Sequence, residues 1–361
     1  MSDLIPSPGP LFPDSEKSVQ NPEWTQATLV VGPSWVGDMV MAQPLFKVLK
    51  AQEPNTPIDV LAPAWSSPLL SRMPEVRQSI DSTLEHGQLG LKTRYRQGKA
   101  LLGRYKQAII LPNSFKSALI PFHANIPRRV GFIGEMRWGL LTEARPLDKI
   151  RLPRTADRFV ALGLKAEHGL PVPLPSPTLT AFPERAMKLL EKLGIPKQYG
   201  PILALSPGAE YGPAKQWPER HFATVAQIKA QEGWTVLVLG SGKETGLCHL
   251  IAQKAGNQGY NLAGKTTLEE AVDLLSIAQG VICNDSGLMH VAAALGRPVV
   301  SIFGSSDPEH TPPVGPKARI VSLNLDCAPC FKRHCPDQHL RCLEDISPEM
   351  VLDQLDGVVQ S

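Results

Sequence analysis

The chain has 361 residues, a length typical of two globular domains. Apolar residues make up 42% and charged residues 20%, values that exclude a disordered or fibrous protein. The net charge of +3 conceals an asymmetry: residues 88–158 carry 15 basic and four acidic side chains, or +11, and the remainder carries −8. This asymmetry predicts an anionic partner for one part of the chain. Nucleic acid is not the expected partner, because no nucleic-acid-binding motif accompanies the basic stretch.

The N-terminal residues, the lengths of the apolar stretches and the cysteines indicate where the protein acts. The first 25 residues are polar and proline-rich, without the regions of a secretory signal, and we expect a disordered tail there. No stretch reaches the 18 uninterrupted apolar residues of a membrane span. Six cysteines in so long a chain do not indicate a secreted disulfide scaffold. We therefore expect a cytoplasmic protein whose membrane contact, if any, is peripheral.

In the first half, predicted strands and helices alternate, which indicates an α/β fold with a parallel sheet. Thr28–Gly32, Ile58–Ala62 and Gln107–Leu111 have the apolar runs of strands, and Met39–Lys50 has helical character. Gly169–Pro177 is rich in proline and free of charge, so it can continue neither a helix nor a central strand. We predict a linker there. The predicted units are a tail at 1–25, domains at 26–172 and 173–345, and a C-terminal helix at 346–361.

The second half repeats the alternation more clearly. Its helix at Thr267–Ala278 has a good start signal, with a threonine cap followed by two glutamates. Two α/β units place a cleft between two sheets, and ligands of such sheets bind at the carboxyl ends of the strands. The predicted strands are Ile202–Leu205, Thr235–Leu239, Val281–Cys283 and Val299–Phe303, and the other predicted helices are Glu219–Gln231, Glu244–Ala255 and Gly287–Leu295.

The loop after the first predicted strand has the sequence GPSWVGD and ends at Asp38. Its two glycines stand as in a phosphate loop, but an aspartate replaces the lysine that the Walker A motif requires. Neither half carries the G-x-G-x-x-G motif of dinucleotide-binding folds. Asp38 could cap the following helix, or it could act as a general base at the mouth of the cleft.

Three loops of the second half carry polar groups that suit a nucleotide sugar. In SPGAEYGPAKQWP the single cation, Lys215, suits a diphosphate unless it is merely solvated. After the NDSG sequence a helix begins, so the amides of Ser286, Gly287 and Leu288 can bind an anion. Asp285 suits a sugar hydroxyl. An ordinary helix cap is the alternative there. In GSGKE, Glu244 could accept from ribose hydroxyls or could belong to a solvated turn.

Seven stretches point to one family: GPSWVGDMVM, LAPAW, SRMPEV, LPNSFKSAL, GEMRWGLL, PGAEYGPAKQWP and NDSGLMHVAAALGRP. Together they resemble the ADP-heptose:lipopolysaccharide heptosyltransferases of glycosyltransferase family 9. The resemblance spans about residues 28–355 and is greatest to members that add the second heptose of the inner core. It implies the GT-B architecture, in which two Rossmann-like domains with parallel sheets face a central cleft.

The resemblance also implies an activity and its residues. The expected enzyme is an inverting glycosyltransferase that moves L-glycero-D-manno-heptose from ADP-heptose to the first heptose of the lipopolysaccharide inner core, without a required cofactor. By its place in the motif, Asp38 corresponds to the base that deprotonates the acceptor hydroxyl. The donor residues become Lys215 for the diphosphate, Asp285 for the heptose, Ser286 and Gly287 for phosphate, and Glu244 for the ribose. The acceptor residues become Asn113, Ser114 and Lys116.

The implied partners are ADP-L-glycero-D-manno-heptose, an inner-core acceptor (Kdo-lipid A bearing heptose) and the anionic inner-membrane surface, approached from the cytoplasm. The basic stretch suits that surface, although a solvated basic face explains it as well. Three other functions stay open: transfer of the first heptose to Kdo-lipid A, epimerisation of a sugar nucleotide on a GT-B-like fold, and non-catalytic lipopolysaccharide binding.

Four of the six cysteines follow the pattern C-x2-C-x4-C-x6-C, with two histidines between them. The spacing allows a tetrahedral zinc site, although it is not a usual finger pattern. Free thiols and disulfides are the alternatives, and a reducing cytosol disfavours disulfides. We expect a structural rather than catalytic role. The four residues are Cys327, Cys330, Cys335 and Cys342, whereas Cys248 and Cys283 are expected in the core.

Overall fold

The computed structural model describes residues 26–83, 89–196 and 200–360, so the predicted tail lies outside the described residues. The first half forms a six-stranded, entirely parallel sheet in which each strand pairs with its neighbours in the order β3-β2-β1-β4-β5-β6. Its strands are β1 (Ala27–Val31), β2 (Ile58–Ala62), β3 (Gln78–Asp81), β4 (Tyr105–Ile110), β5 (Arg128–Phe132) and β6 (Glu143–Arg145).

The second half builds the same arrangement again, with a parallel sheet in the order β12-β11-β10-β7-β8-β9. In each sheet the order reverses beside the first strand, between β1 and β4 and between β7 and β10. Such switch points are where open α/β sheets bind ligands. The strands are β7 (Ile202–Ser206), β8 (Thr235–Val238), β9 (Gly259–Asn261), β10 (Gly280–Asn284), β11 (Val299–Phe303) and β12 (Ala318–Ser322).

Helices cover the sheets. At the switch points β1, β7 and β10 are buried along their whole length, and β4 is buried except at Lys106 and Gln107. The predicted strands are confirmed, and so is the Thr267 cap, whose hydroxyl accepts from the Glu270 amide. The helices are α1 (Val36–Gln52), α2 (Ser67–Leu70), α3 (Leu91–Ala100), α4 (Leu119–His123), α5 (Thr155–Gly163), α6 (Pro183–Lys192), α7 (Glu219–Gln231), α8 (Thr245–Lys254), α9 (Leu268–Ile277), α10 (Gly287–Ala294), α11 (Arg341–Glu344) and α12 (Pro348–Gln360).

Residues 164–182 contain neither helix nor strand and connect the two halves. The halves are nevertheless tied together next to this segment. The Gln43 side chain exchanges two hydrogen bonds of 2.7 Å with the backbone of Thr178, and buried Arg72 donates to Asp273 at 2.7 Å. These contacts hold α1 and the loop after α2 against α9 and the start of the second half.

Helices α1 and α10 meet where the two sheets face each other. Glycine is required at this crossing, because a Cβ added to Gly37 would lie 2.7 Å from the His290 ring, and one added to Gly287 would lie 2.7 Å from the Cβ of Val36. The first turn of α1 is therefore held directly against the first turn of α10, and polar groups from the two halves share one cleft.

Candidate active site

Asp38 lies in the first turn of α1, at the carboxyl end of β1. The helix begins at Val36 and its N-cap is Trp35, so Asp38 is not the cap residue, and that alternative is wrong. Burial raises the pKa of Asp38 to about 6, and nearby Asp285 acts in the same direction. His310 and Lys215 oppose this rise through their positive charge. A carboxyl with such a pKa can take up a proton near neutral pH.

Lys215 and Asp285 form an ion pair at the carboxyl ends of β7 and β10. Both are shielded from solvent, with 18% of the lysine side chain and 7% of the aspartate side chain exposed. The Ser306 hydroxyl donates to the same Asp285 carboxylate at 2.6 Å, and the lysine ammonium lies 5.1 Å from the Tyr211 ring. Lys215 is therefore not a solvated surface lysine. Its ammonium has three donors, so the pair with Asp285 leaves N–H groups for an anion.

Ser286 and Gly287 open α10 beside this pair. The Ser286 hydroxyl is buried, and no hydrogen-bond partner for it exists within the described residues. A buried polar atom without a partner is costly, and such atoms often mark the place of a ligand. The backbone amides at the start of α10, where the helix dipole has its positive end, also suit an anion.

A cavity of about 450 Å³ lies against this helix start and takes its walls from both halves. Trp35 and Trp65 contribute from the first half and remain partly exposed, which suits stacking with a planar base. Ser286, Gly287 and Glu244 contribute from the second half. The volume is within the range of sites for small molecules.

Glu244 has two environments. One carboxylate oxygen accepts from the Ser241 amide at 2.7 Å and from its hydroxyl at 2.9 Å, which closes the turn before α8. The carboxylate also lies against Gly208, where an added Cβ would overlap it. Glu244 is thus a turn residue that also lines the cavity.

The predicted acceptor residues lie at the carboxyl end of β4. Ser114 and Lys116 line a small cavity of about 100 Å³ that also reaches Gly32 and Ser34 of the β1 loop. Asn113 does not line this cavity. Its side-chain oxygen instead accepts from Arg137 at 3.4 Å.

Many basic side chains of residues 88–158 form hydrogen bonds or ion pairs inside the first half. Arg137 is 1% exposed and donates to the Phe132 carbonyl at 2.8 Å, and burial lowers its pKa to about 10. Part of this charge is therefore not available to an anionic partner. The other basic residues with internal partners are Arg94, Lys106, Arg128, Arg129, Arg145, Arg154 and Arg158.

The structure adds His310, which the sequence analysis missed. This residue follows β11, and its Nδ1 lies 2.8 Å from the Pro153 carbonyl of the first half. Its Nε2 lies 3.4 Å from Arg158. With Lys215 and Ser306 it lines another cavity, of about 140 Å³. No sequence motif surrounds His310, and only its place in a loop after a strand could have indicated it.

The cysteines are present as thiols, with no disulfide among them in the described chain. Cys248 and Cys283 are buried in the core, as expected. Among the described residues, a close group of potential metal-binding side chains consists of Cys327, Asp337 and His339, whose ligand atoms lie within 4.8 Å of one another.

Comparison with known proteins places this geometry in a family. Residues 94–341 match the model of glycosyltransferase family 9 (heptosyltransferase). Lipopolysaccharide heptosyltransferase 2 of Salmonella typhimurium is 46% identical over 92% of this chain and 98% of its own. Lipooligosaccharide heptosyltransferase 2 of Haemophilus influenzae is 43% identical over 92% and 99%. The solved structure of E. coli ADP-heptose LPS heptosyltransferase II superposes with a TM-score of 0.81 at 40% identity, covering 92% and 98%.

Proposed function

The chain belongs to glycosyltransferase family 9, the heptosyltransferases, and we propose that it transfers L-glycero-D-manno-heptose from ADP-heptose to the first heptose of the lipopolysaccharide inner core. The full-length similarity to proteins named heptosyltransferase 2 supports the second-heptose reaction. The observation that carries the chemistry is the convergence of Asp38 from one half with Lys215 and Asp285 from the other.

We assign donor binding to the second half and acceptor binding to the first. The 450 Å³ cavity holds the adenosine, with Glu244 toward the ribose. The diphosphate lies at the start of α10, where Ser286 and Gly287 supply a hydroxyl and amides, and Lys215 supplies a positive charge. Asp285 receives a hydroxyl of the heptose. Ser114 and Lys116, with Asn113 beside them, face the acceptor.

In the proposed reaction, the Asp38 carboxylate removes the proton from the acceptor hydroxyl. The freed oxygen attacks the anomeric carbon, and the bond from that carbon to the diphosphate oxygen breaks with its electron pair. Lys215 and the α10 amides stabilise the negative charge that develops on ADP. A single displacement of this kind inverts the anomeric carbon. It requires no cofactor, because protein groups supply both the base and the positive charge.

We also propose that the first half meets the anionic inner-membrane surface at the cytoplasmic face. A surface of α3 and α4 combines exposed aromatic side chains with basic ones. Tyr95 and Phe122 are exposed, and the exposed Lys99 lies 5.6 Å from the Tyr95 ring. Arg129, which is half-buried and also donates to the Leu140 carbonyl, lies 5.5 Å from the Phe122 ring. Such mixed surfaces suit lipid headgroups. No helix within the described ranges is long and apolar enough to cross a membrane.

This membrane contact can be tested with vesicles of anionic and neutral lipid. Binding should require anionic lipid, weaken with added salt, and decrease in the variant Tyr95→Ser/Phe122→Ser. Binding that is insensitive to salt would contradict the electrostatic part of the proposal.

The reaction itself is tested by ADP release from ADP-heptose with two acceptors, Kdo-lipid A with one heptose and Kdo-lipid A with none. We expect release only with the heptose-bearing acceptor. Release with the heptose-free acceptor alone would instead show transfer of the first heptose. Conversion of the donor to an epimer without any acceptor would show an epimerase.

A further inference from the structure

The loop that follows β5 exposes large apolar side chains next to the proposed acceptor residues. Met136 is 76% exposed and Trp138 is 57% exposed, and Ile133 at the start of the loop is exposed as well. Strand β5 is parallel to β4, so this loop lies at the same edge of the sheet as the loop that carries Ser114 and Lys116. Exposed apolar clusters mark contact surfaces.

A buried arginine between the two most exposed residues fixes the loop. The guanidinium of Arg137 donates to the Phe132 carbonyl at 2.8 Å, at the end of β5. It also donates to the Pro112 carbonyl at 2.5 Å and to the Ser117 hydroxyl at 2.9 Å. These two partners stand at the ends of the acceptor loop, residues 112–117. The loop after β5 and the acceptor loop are therefore held together as one unit.

Two further contacts join these loops, and the backbone is strained where they meet. The Glu135 carboxylate accepts from the Phe115 amide at 2.8 Å. A Cβ added to Gly134 would lie 2.7 Å from the Asn113 carbonyl oxygen, so only glycine allows this approach. Glu135 and Met136 both have left-handed backbone conformations, with φ of +43° and +53°. Such conformations persist only where the surroundings enforce them, so the outward position of Met136 is built into the fold.

We call the exposed apolar side chains of the two joined loops the apolar patch; they are Phe115, Ile133, Met136 and Trp138. Tryptophan favours the boundary between lipid headgroups and acyl chains, and methionine adapts to irregular apolar surroundings. Lys116, next to Phe115, supplies positive charge for anionic headgroups. A stable protein–protein interface needs about 20–30 residues on each side, many more than the patch offers. The chemistry therefore favours a lipid surface over a protein partner.

We propose that the apolar patch inserts among the lipid headgroups of the membrane that carries the acceptor, which brings the acceptor loop to the membrane surface. This partner rests on the proposed function, because a lipid-linked acceptor is what places a membrane beside residues 112–117. The contact differs from that of the aromatic and basic surface of α3 and α4. That surface acts mainly through charge, which salt screens, whereas salt does not screen the burial of apolar side chains.

Binding to vesicles of phosphatidylcholine and phosphatidylglycerol tests this contact directly. Met136→Ser/Trp138→Ser should bind at least about tenfold more weakly at both low and high salt, because each substitution removes a large apolar side chain from the lipid. The matched control is Ile150→Ser/Val172→Ser, which removes two apolar side chains that are 92% and 94% exposed. The control should bind as tightly as the unmodified chain. Equal binding by the two variants would overturn the proposal.

Transfer kinetics separate contact with lipid from contact with sugar. In Met136→Ser/Trp138→Ser, KM should rise several-fold for the acceptor in vesicles and should not change for the deacylated, water-soluble acceptor. The kcat at saturating acceptor and the ADP dissociation constant should not change. An equal rise in KM for both acceptors would mean that the patch binds the sugars, and it would overturn the contact with lipid.

Oxidation of the unmodified chain covers the case in which the patch variant does not fold. Hydrogen peroxide converts exposed methionine to its sulfoxide. Vesicles should slow this reaction at Met136 and leave it unchanged at Met350, an exposed methionine of the second half. The same rate at Met136 with and without vesicles would overturn the proposal. Vesicle binding and oxidation require no transfer, so they can support the patch even if the proposed reaction fails.

Discussion

The two halves share one strand order but use their charged residues in opposite ways. In the first half, arginines such as Arg137 and Arg145 bind backbone carbonyls and hold loops together, and the cleft carboxylate Asp38 has a raised pKa. In the second half, Lys215 and Asp285 sit at strand ends and face the cleft. The position of a charge at a switch point, more than the number of charges, therefore indicates where a ligand binds.

From this contrast we expect substitutions at the cleft of the first half to change turnover, and substitutions at the cleft of the second half to change donor affinity. The assignment fails if residues on the two sides of the cleft affect the same measured quantity. Single substitutions on each side of the cleft separate the two quantities.

Replacing Asp38 should affect turnover alone. A general base contributes about 10²- to 10⁴-fold, so Asp38→Ala should lower kcat by that order. ADP affinity, measured by calorimetry, should stay within about twofold of the original, a change of under about 0.5 kcal/mol. A parallel loss of ADP affinity would place Asp38 in the donor site and would contradict the separate roles of the two halves.

Replacing Lys215 should weaken ADP binding. Hydrogen bonds to charged groups contribute about 1.5–3 kcal/mol, so Lys215→Met should raise the ADP dissociation constant about 10- to 160-fold. Lys243 is a matched control at the same end of the second sheet, because its side chain is 79% exposed and pairs with Glu210 at the surface. Lys243→Met should leave ADP binding unchanged. Equal effects of the two variants would mean that general positive charge, not the site, binds ADP.

The pH dependence of kcat/KM should reflect the ionisation of the Asp38 carboxyl in the first half. Only ionised Asp38 can accept a proton, and its pKa is about 6, so kcat/KM should fall about tenfold per pH unit well below pH 6. His310 lowers this pKa. His310→Ala should therefore move the acid limb to higher pH, whereas His334→Ala, an exposed control, should not. A flat profile between pH 5 and pH 7 would contradict the assignment of Asp38.

The smallest effect is expected at Ser286. Its hydroxyl has no partner within the described chain, so removal should cost little stability. A neutral hydrogen bond to phosphate contributes about 0.5–1.5 kcal/mol, so Ser286→Ala should weaken ADP binding about 2- to 12-fold. Ser305 is the control, since its buried hydroxyl also lacks a partner but does not line the 450 Å³ cavity. If Ser286→Ala lowered Tm without affecting ADP, the hydroxyl would have a structural role.

The sequence predicts the buried strands well and the exposed ones poorly. The strand at Val299–Phe303 is an uninterrupted apolar run and is buried throughout. Strand β3 (QSID) and strand β6 (EAR) lie at sheet edges with polar, partly exposed residues, so no apolar pattern marks them. Strand β5 begins with two arginines, and its pairing depends on β4 rather than on its own composition.

The candidate site is predictable wherever a motif follows a buried strand. Asp38, Lys215 and the NDSG cluster all satisfy that rule, because parallel strands bring their carboxyl ends to one edge. His310 could not be predicted in this way, since its partners Pro153 and Arg158 lie about 150 positions earlier in the chain. The environment of Arg137 could not be predicted either. Composition counts its positive charge but does not reveal that its guanidinium is buried against backbone carbonyls.

In the proposed reaction, a carboxylate of the first half activates the acceptor while the second half holds the leaving group on the opposite side of the anomeric carbon. The anomeric configuration of the new glycosidic bond, determined by NMR on the isolated product, reports whether attack occurs from that opposite side. A single displacement with Asp38 as base predicts a configuration opposite to that of the donor. A product with the donor's configuration could not result from a single attack opposite the leaving group and would contradict this arrangement.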